Sequence, residues 1–503
     1  MLSFGTFFSS FFMLLTTPRY LLLMCAFVAL GILLGALPGI SVNMSLILAL
    51  PLTYSMDTTT AMCVLLACYV GAMSGGLISA ITLNVPGTGS SIATTFDGHP
   101  MAERGEAGRA VGIGILTSFV GGGISFLLLM LIAPVIATVA LKFGPWEYFA
   151  IGVFSLTMII SVAGDDVVKG ILASIFGMCL AMTGADPIGS VARFNFGLHI
   201  LDGGITTTAL MCGMFAVPEV LKLAMSRDEQ DVEVRKMEKF RGFGISLPDY
   251  LSRWRNIIRS ALIGAYTGLL PGIGGSSASL FAYMTEKKRN KHPEEFGKGA
   301  VDGLIASETA NNACIGGAMI PLLALGIPGS SSAAILLSAL TLHNIQCGPL
   351  AFSQHADLIY MIFAILLVSN IFMLVLERAI LSGYLKVLTA PRRIIMVVVI
   401  MMCIVGAYSS RNNFLDLYVF AIGGTLGYFL QKVGVSRAPI ILGYILSSII
   451  EENCVRALSI SGGSFTGILG RPIALVFLAI GIFSLCNSAR KSILASKSKE
   501  GSK

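Results

Sequence analysis

The chain has 503 residues, of which 55% are hydrophobic and only 12% are charged, and its mean hydropathy is +0.83. Soluble proteins typically carry about 25% charged residues, so the composition excludes an ordinary soluble protein. The net charge of +7 would suit a nucleic-acid partner, but the basic residues cluster beside apolar segments, which argues against one. We therefore predict an all-α polytopic membrane protein.

Apolar stretches of span length recur along the chain, for example 20–37, 110–131, 359–376 and 471–485. Because a membrane helix needs roughly 20 apolar residues, the pattern predicts about 10 to 12 transmembrane helices. Residues 1–18 are apolar, with no basic residue before Arg19 and no cleavage-site pattern. They are predicted to form an interfacial N-terminal segment; the alternative is that they begin the first span.

The sequence also contains a duplication. GALPGI at 35–40 returns as GLLPGI at 268–273, a shift of 233, and NVPGTGSS at 84–91 returns as GIPGSSSA at 326–333, a shift of 242. The charged stretch at 286–294 accounts for the difference, and a fainter match pairs Gly184 with Gly434. We predict a first transmembrane repeat at 19–224 and a second at 257–487.

Loop charge predicts how the two repeats are oriented. Residues 225–256 form a charged linker and 488–503 a Lys-rich tail, and both are expected in the cytoplasm by the positive-inside rule. The loop at 286–298 carries five basic residues, whereas its first-repeat counterpart near 55–59 carries none. Equivalent loops therefore face opposite sides, which favours inverted-topology repeats with the substrate where the two halves meet.

Each repeat places two Pro-Gly motifs inside apolar segments. Proline removes a backbone donor and glycine loosens the helix, so broken or re-entrant helices are predicted at these motifs. Broken backbone at membrane depth is tolerated only where it is buried in protein or lines a cavity.

The later motif of each repeat predicts the substrate site. A half-helix that starts there presents N–H groups, short polar side chains and a positive dipole end, which together can hold a carboxylate. The alternative is a proline kink whose serines bond to their own helix. The predicted substrate-binding residues are Asn84, Pro86, Gly87, Thr88, Gly89, Ser90, Pro328, Gly329, Ser330 and Ser331.

The earlier motifs and a buried Asn pair predict a coupling-ion site, because backbone and side-chain oxygens suit Na⁺. The alternatives are close packing of small residues and hydrogen bonds between helices. The predicted Na⁺ residues are Gly39, Asn43, Gly272, Ser276, Asn311 and Asn312.

No catalytic motif supports an enzyme. The sequence contains neither H-E-x-x-H nor G-x-S-x-G, and the pair Asp165 and Asp166 follows an apolar run in what reads as a loop. The ten cysteines include no C-x-x-C pair, and the five histidines lack ligand spacing. We predict no enzyme activity and no cofactor other than a coupling Na⁺ or H⁺.

Six stretches resemble one family, the large membrane subunit of tripartite tricarboxylate transporters, over about residues 20–475. They are GALPGI, LISAITLNVPGTGSSIATTFDGHPMAERGEAGRAVG, GLLPGIGGSSAS, HPEEFGKGAVDG, ETANNACIGGAMIPLLALGIPGSSSAA and APIILGYILSSIIEENCVRALSISGG.

The resemblance implies a multi-pass permease in the bacterial inner membrane that imports di- or tricarboxylates by cation symport. It also implies two partners, a small four-span membrane subunit and a periplasmic solute-binding protein. The absence of a G-x-x-x-x-G-K-[ST] phosphate loop agrees with transport that does not use ATP. The alternatives are a non-transporting membrane scaffold or sensor and a membrane-embedded enzyme.

Overall fold

The structure is a computed structural model that describes residues 4–162, 167–186, 188–189, 191–225, 242–379, 381 and 392–500. This part of the chain is mostly helical and contains almost no sheet, as predicted. In the first half the α-helices are α1 (Phe4–Thr16), α2 (Pro18–Ala36), α3 (Val42–Ala49), α4 (Thr58–Leu83), α5 (Ile92–Glu103), α6 (Ala107–Ala140), α7 (Pro145–Val162), α8 (Val167–Ala181) and α9 (Thr207–Met225).

The second half continues the same architecture. Its α-helices are α10 (Leu247–Ser252), α11 (Trp254–Leu269), α12 (Gly274–Arg289), α13 (Val301–Leu325), α14 (Ser331–Leu342), α15 (Ala351–Gln354), α16 (Ala356–Ala379), α17 (Arg392–Ser409), α18 (Phe414–Lys432), α19 (Arg437–Ile460) and α20 (Pro472–Glu500).

Short elements complete the described chain. Strand β1 (Gly184–Ala185) pairs antiparallel with β2 (Ala192–Arg193), with Gly184 opposite Arg193. The 3₁₀ helices are Leu50–Thr53, Gly89–Ser91, His199–Leu201, Pro293–Glu295 and Phe465–Gly470.

Seven of the described helices are long and apolar enough to cross a membrane, by length and composition: α2, α4, α6, α16, α18, α19 and the part of α20 up to Arg490. The chain is therefore a multi-pass membrane protein. The predicted total of about 10 to 12 spans exceeds these seven and stays a prediction. Six apolar helices of 10–17 residues are present in the described ranges.

The chain divides into two compact units. Unit 1 comprises Met1–Ala137, Lys222–Leu269 and Ile273–Val399, and unit 2 comprises Thr138–Leu221, Leu270–Gly272 and Ile400–Lys503. Each unit thus combines segments from both halves of the sequence. Unit 1 contains three of the four Pro-Gly motifs, and the fourth, Leu270–Gly272, belongs to unit 2.

The earlier Pro-Gly motifs interrupt helices at equivalent positions. Helix α2 ends at Ala36 and α11 at Leu269, a shift of 233, and Gly39 (φ +94°) and Gly272 (φ +85°) follow in the left-handed region. A residue with a Cβ is disfavoured there.

The later motifs also interrupt helices. Helix α4 ends before Asn84 (φ +55°) and α13 before Gly326 (φ +73°), again a left-handed residue at each end. The predicted breaks at the Pro-Gly motifs are therefore confirmed.

Glycines bring α2 and α4 into backbone contact. A Cβ on Gly31 would lie 2.4 Å from the carbonyl oxygen of Cys68, and one on Gly35 would lie 2.3 Å from that of Ala72. Small residues allow helices to approach this closely in a membrane, where packing replaces the hydrophobic drive.

The same contacts recur between α11 and α13. A Cβ on Gly264 would lie 2.3 Å from the carbonyl oxygen of Ala310, and one on Gly268 would lie 2.4 Å from that of Cys314. At the shift of 233, Gly264 and Gly268 are the equivalents of Gly31 and Gly35. At the shift of 242, Ala310 and Cys314 are the equivalents of Cys68 and Ala72. The duplication therefore extends to packing, whereas the inverted orientation of the repeats stays a prediction.

The predicted segments at the ends and in the middle of the chain are described in part. Residues 1–18 include α1, which packs against α16 in unit 1. In the linker, 226–241 lie outside the described residues, and 242–256 contain α10 and the start of α11. The tail continues α20 to Glu500. The domain boundaries and the interfacial and cytoplasmic locations stay predictions.

We expect Gly268→Ala and its equivalent Gly35→Ala to destabilise the protein by about 1–3 kcal/mol each, because the added methyl group meets a fixed backbone carbonyl. The measurement is the Tm of the purified protein in detergent. Gly114→Ala is the matched control, since its Cβ would make only an ordinary 3.5 Å contact with Leu77. Equal Tm values for Gly268→Ala and Gly114→Ala would contradict the prediction.

Candidate functional site

Hydroxyl groups cluster at the break that follows α4. The Oγ1 atom of Thr88 is 3.0 Å from Oγ of Ser90 and 3.1 Å from Oγ of Ser91. Gly76 makes room for them, because a Cβ there would lie 2.5 Å from Oγ1 of Thr88. We call residues 88–91 with their contacts on α12 and α13 the first cluster.

Helix α12, from the second repeat, closes this cluster. The hydroxyl of Ser279 donates to the carbonyl oxygen of Ser90 at 2.9 Å. The Oγ of Ser276 would be 3.3 Å from a Cβ on Gly89, and both residues are exposed. The first cluster therefore reaches the surface of this chain at these two residues.

Asn311 joins the first cluster through Met73. Its Nδ2 donates to the carbonyl oxygen of Met73 at 3.1 Å, and the Ser90 hydroxyl contacts Sδ of Met73 at 3.8 Å. A Cβ on Gly275 would lie 3.1 Å from Oδ1 of Asn311. That Oδ1 is buried without a hydrogen-bond partner among the described atoms.

The break that follows α13 forms a second cluster, which we define as Ser330–Ser332, Asn43 and Tyr69. Ser330 caps α14, its Oγ accepting from the N–H of Ala333 at 3.1 Å. The hydroxyl of Ser332 donates to Oδ1 of Asn43 at 2.6 Å. The Tyr69 hydroxyl lies beside the side chains of Ser330 and Ser332.

Each break is seated on the end of an earlier helix. A Cβ on Gly87 would lie 2.2 Å from the carbonyl oxygen of Gly35, and one on Gly329 would lie 2.4 Å from that of Gly268. Only glycine allows this approach. The Pro-Gly dipeptides therefore position the polar residues that follow them.

The two clusters correspond residue by residue under the duplication. The shifts of 233 and 242 pair Asn43 with Ser276, Tyr69 with Asn311, Thr88 with Ser330 and Ser90 with Ser332. In each cluster the break of one repeat contacts the first motif of the other repeat.

The predicted substrate residues thus fall at two places in unit 1. Asn84 and Gly89 are exposed, Gly87, Thr88 and Ser90 are buried, and Pro86 is intermediate. In the second cluster Ser331 is partly buried, while Pro328, Gly329 and Ser330 are buried. Their binding role stays a prediction.

The predicted ion residues do not all come together. Asn43, Ser276 and Asn311 lie in the clusters, whereas Gly39 is exposed and has open space where a Cβ would be. Gly272 belongs to unit 2, where a Cβ would lie 2.8 Å from Ile159. The Nδ2 of Asn312 donates to the carbonyl oxygen of Glu308 at 3.2 Å.

Sequence reasoning missed Tyr69, Met73 and Ser279. Tyr69 could have been found as the equivalent of Asn311 at the shift of 242. Met73 contributes its thioether and its backbone carbonyl, and Ser279 contributes a hydroxyl that bonds to Ser90. No sequence motif marks either residue.

The described polar contacts of both clusters come from hydroxyl, amide, thioether and backbone groups. Such groups suit an anion or a weakly held cation. Within the described ranges no three His, Cys, Asp or Glu side chains form a metal-binding group. Asp165 and Asp166 lie outside the described residues.

The chain is similar to known proteins over almost its full length. Residues 21–442 match the sequence model of the family described as "Tripartite tricarboxylate transporter TctA family". An uncharacterized 52.8 kDa protein in the TAR-I ttuC' 3' region of Agrobacterium vitis is 35% identical over 472 residues, 94% of this chain and 93% of the relative.

A second relative covers less of the chain. This uncharacterized protein in the TAR-II ttuC' 3' region of Agrobacterium vitis is 36% identical over 219 residues, which are 44% of this chain and 90% of the relative. No solved structure matches significantly. The match of the family to 21–442 and the full-length similarity to the first relative show that the chain belongs to the tripartite tricarboxylate transporter TctA family.

Proposed function

We propose that this chain is the permease of a secondary transporter that imports small di- or tricarboxylates across a bacterial inner membrane, driven by a Na⁺ or H⁺ gradient. Membership of a family of large permease components supports transport, and the family name implies further components. We propose that these are a small four-span membrane subunit and a periplasmic solute-binding protein.

The observation that carries the proposal is the pair of polar breaks in unit 1. At each break one helix ends, and the glycine of the Pro-Gly dipeptide packs against the backbone carbonyl of a glycine in an earlier helix. A new helix then starts beside short polar side chains. Helix starts of this kind bind carboxylates through N–H groups and the positive end of the dipole. A carboxylate held this way needs no buried Lys or Arg, so it is released more readily than from an ion pair.

In this proposal the first cluster receives the substrate. Gly89 and Ser276 are exposed there, whereas Ser330 is buried in the second cluster. The exposed oxygen of Ser276 and the partly buried oxygen of Asn43 lie next to the two breaks and suit a coupling Na⁺. A cation there would offset the carboxylate charge, which supports coupled movement of the two.

Uptake into proteoliposomes tests the proposal. We expect the full transporter, reconstituted with both partner proteins, to accumulate at least one member of a radiolabelled panel of citrate, succinate, malate and tartrate. An imposed Na⁺ or H⁺ gradient should be required, because a co-transported cation supplies the driving force. Liposomes without this chain are the control, and no accumulation under either gradient would refute the proposal, leaving a scaffold or sensor.

The double variant Thr88→Ala with Ser330→Ala tests the site. Hydrogen bonds to charged groups contribute about 1.5–3 kcal/mol, so loss of two hydroxyls should raise the KM for the carboxylate at least about ten-fold. The measurements are initial uptake rates against substrate concentration, with the amount of protein in the membrane determined by immunoblot.

Two controls accompany this variant. Thr88→Ser with Ser330→Thr keeps both hydroxyls and should retain a KM near that of the wild type. Thr341→Ala removes an exposed hydroxyl from α14 that bonds only to its own helix, at the carbonyl oxygen of Leu337. A normal KM in the double alanine variant would place the substrate elsewhere.

A further inference from the structure

Unit 1 contains buried carboxyl groups in different environments. Asp97 accepts from backbone N–H groups and Glu286 pairs with Arg259, whereas two further acids, on α13 and α16, have neither kind of partner. Glu308 on α13 and Glu377 on α16 both have no exposed surface. Neither is used in the proposed function above.

Glu308 is bonded only to neutral groups. Its Oε1 accepts from the hydroxyl of Thr94 on α5, and its Oε2 accepts from the hydroxyl of Ser118 on α6 at 3.1 Å. The side-chain amide of Asn311 lies beside the same carboxyl. Three helices therefore meet at Glu308 without a basic side chain among these partners.

Glu377 has a similar environment with fewer bonds. Its Oε2 accepts from the hydroxyl of Ser74 on α4 at 2.8 Å. Its Oε1 is buried without a hydrogen-bond partner among the described atoms. The free oxygen is a position where a proton could reside and be passed on.

Consecutive residues of α4 connect both carboxyls to the first cluster. Ser74 binds Glu377, and Met73 accepts from Asn311 and from the Ser90 hydroxyl. Asn311 in turn lies beside Glu308. A change at the break can therefore reach both acids through direct contacts.

The described charged groups on the helices packed against α13 and α16 are otherwise engaged. Glu308 and Glu377 themselves have hydroxyl partners and no described ionic partner. Three of the others bond to backbone groups: Asp97 accepts from the N–H groups of Gly297, Gly299 and Ala300, Arg104 donates to the carbonyl of Gly299, and Arg378 donates to that of Gly242. The rest form side-chain ion pairs, which are His99 with Glu103, Arg109 with Glu106, Arg253 with Asp302, Arg259 with Glu286, and Arg19 with Asp57.

The remaining charges lie at helix ends. Lys287, Lys288 and Arg289 are in the last turn of α12, at the opposite end from Ser276. Asp357 is in the first turn of α16, about 30 Å along the helix from Glu377. Arg255, in the first turn of α11, lies over the Trp254 ring. The Tyr and Cys side chains on these helices include Tyr69 and Cys314.

A buried carboxylate without a cation is costly, and hydroxyl donors repay only part of that cost. A Na⁺ ion would need several oxygen atoms around it, but the Thr94 and Ser118 hydroxyls already bond directly to the Glu308 oxygens. A proton needs no further ligand, because on protonation of Glu308 one of these hydroxyls can rotate to accept from the acid without moving either helix.

We propose that Glu308 and Glu377 are the residues that carry the coupling proton during carboxylate uptake. This inference rests on the proposed function and selects H⁺ as the coupling ion. With the site open to the outside, a carboxylate takes H⁺ from water and forms an O–H bond. With the site open to the inside, this bond breaks, H⁺ passes to water and the carboxylate is restored.

The test uses proteoliposomes that contain the full transporter, with a carboxylate from the panel that the wild type accumulates. Two activities are measured separately: accumulation driven by a pH gradient, and exchange of labelled for unlabelled carboxylate without a gradient. A pH gradient of one unit supports about a ten-fold accumulation per co-transported proton. We expect Glu308→Gln and Glu377→Gln to abolish that accumulation. Counterflow of the carboxylate at equal pH should persist, because a neutral amide mimics the protonated acid.

Glu452→Gln is the matched control, since Glu452 pairs with the exposed Arg456 and should keep both activities. A pH dye inside the liposomes reports proton entry with substrate. Wild-type uptake driven by Na⁺ without proton entry, or undiminished proton-driven uptake in both Gln variants, would overturn the inference while leaving the proposed function intact. Loss of counterflow in both variants at normal membrane levels would also overturn it, since the acids would then serve folding or translocation itself.

Discussion

The close approach of glycine backbones at residues 35 and 87, and again at 268 and 329, is the constraint on which unit 1 depends. A carbonyl oxygen lies only 2.2 Å from the Cβ position of residue 87 and 2.4 Å from that of residue 329, so no larger residue fits without moving a helix. The chain can turn back there only because Pro and Gly end the preceding helix. Polar residues are thereby held at a fixed place inside an apolar protein.

Because of this constraint, backbone N–H and C=O groups at the breaks need hydrogen-bond partners from outside their own helix. Interrupted helices leave backbone groups without intrahelical partners, and each such group is costly when removed from water. Two backbone groups are satisfied by hydroxyls: Ser330 accepts from the N–H of Ala333, and Ser279 of the other repeat donates to the carbonyl oxygen of Ser90. The polar side chains are paired as well, Thr88 with Ser90 and Ser332 with Asn43 of the other repeat. Each repeat therefore completes the break of the other, which ties the two halves into one unit.

The fold class, the four helix breaks and the duplication could be predicted because they depend on local chemistry and on spacing along the chain. The partners of Ser90 could not, because Met73 and Ser279 reach it through the packing of α4 and α12, which leaves no periodic signal. Glu308 was visible as a charged residue before Asn311, but its hydroxyl partners on α5 and α6 are about 200 residues away in sequence. Ser74 and Glu377 are separated by 303 residues, and only the fold brings them together.

The duplication supplies a symmetric scaffold, whereas the ionisable chemistry is asymmetric. The shift of 242 pairs Glu308 with Leu66 and Ser74 with Gly316, so the acid and the hydroxyl donor each occur in one repeat only. Asn311 and Tyr69 likewise differ in what they can bind at equivalent positions. A permease built from two similar halves must still distinguish substrate from coupling ion. Because the acids lie beside the first cluster, the proposed protonation is linked to the break that is proposed to receive the substrate.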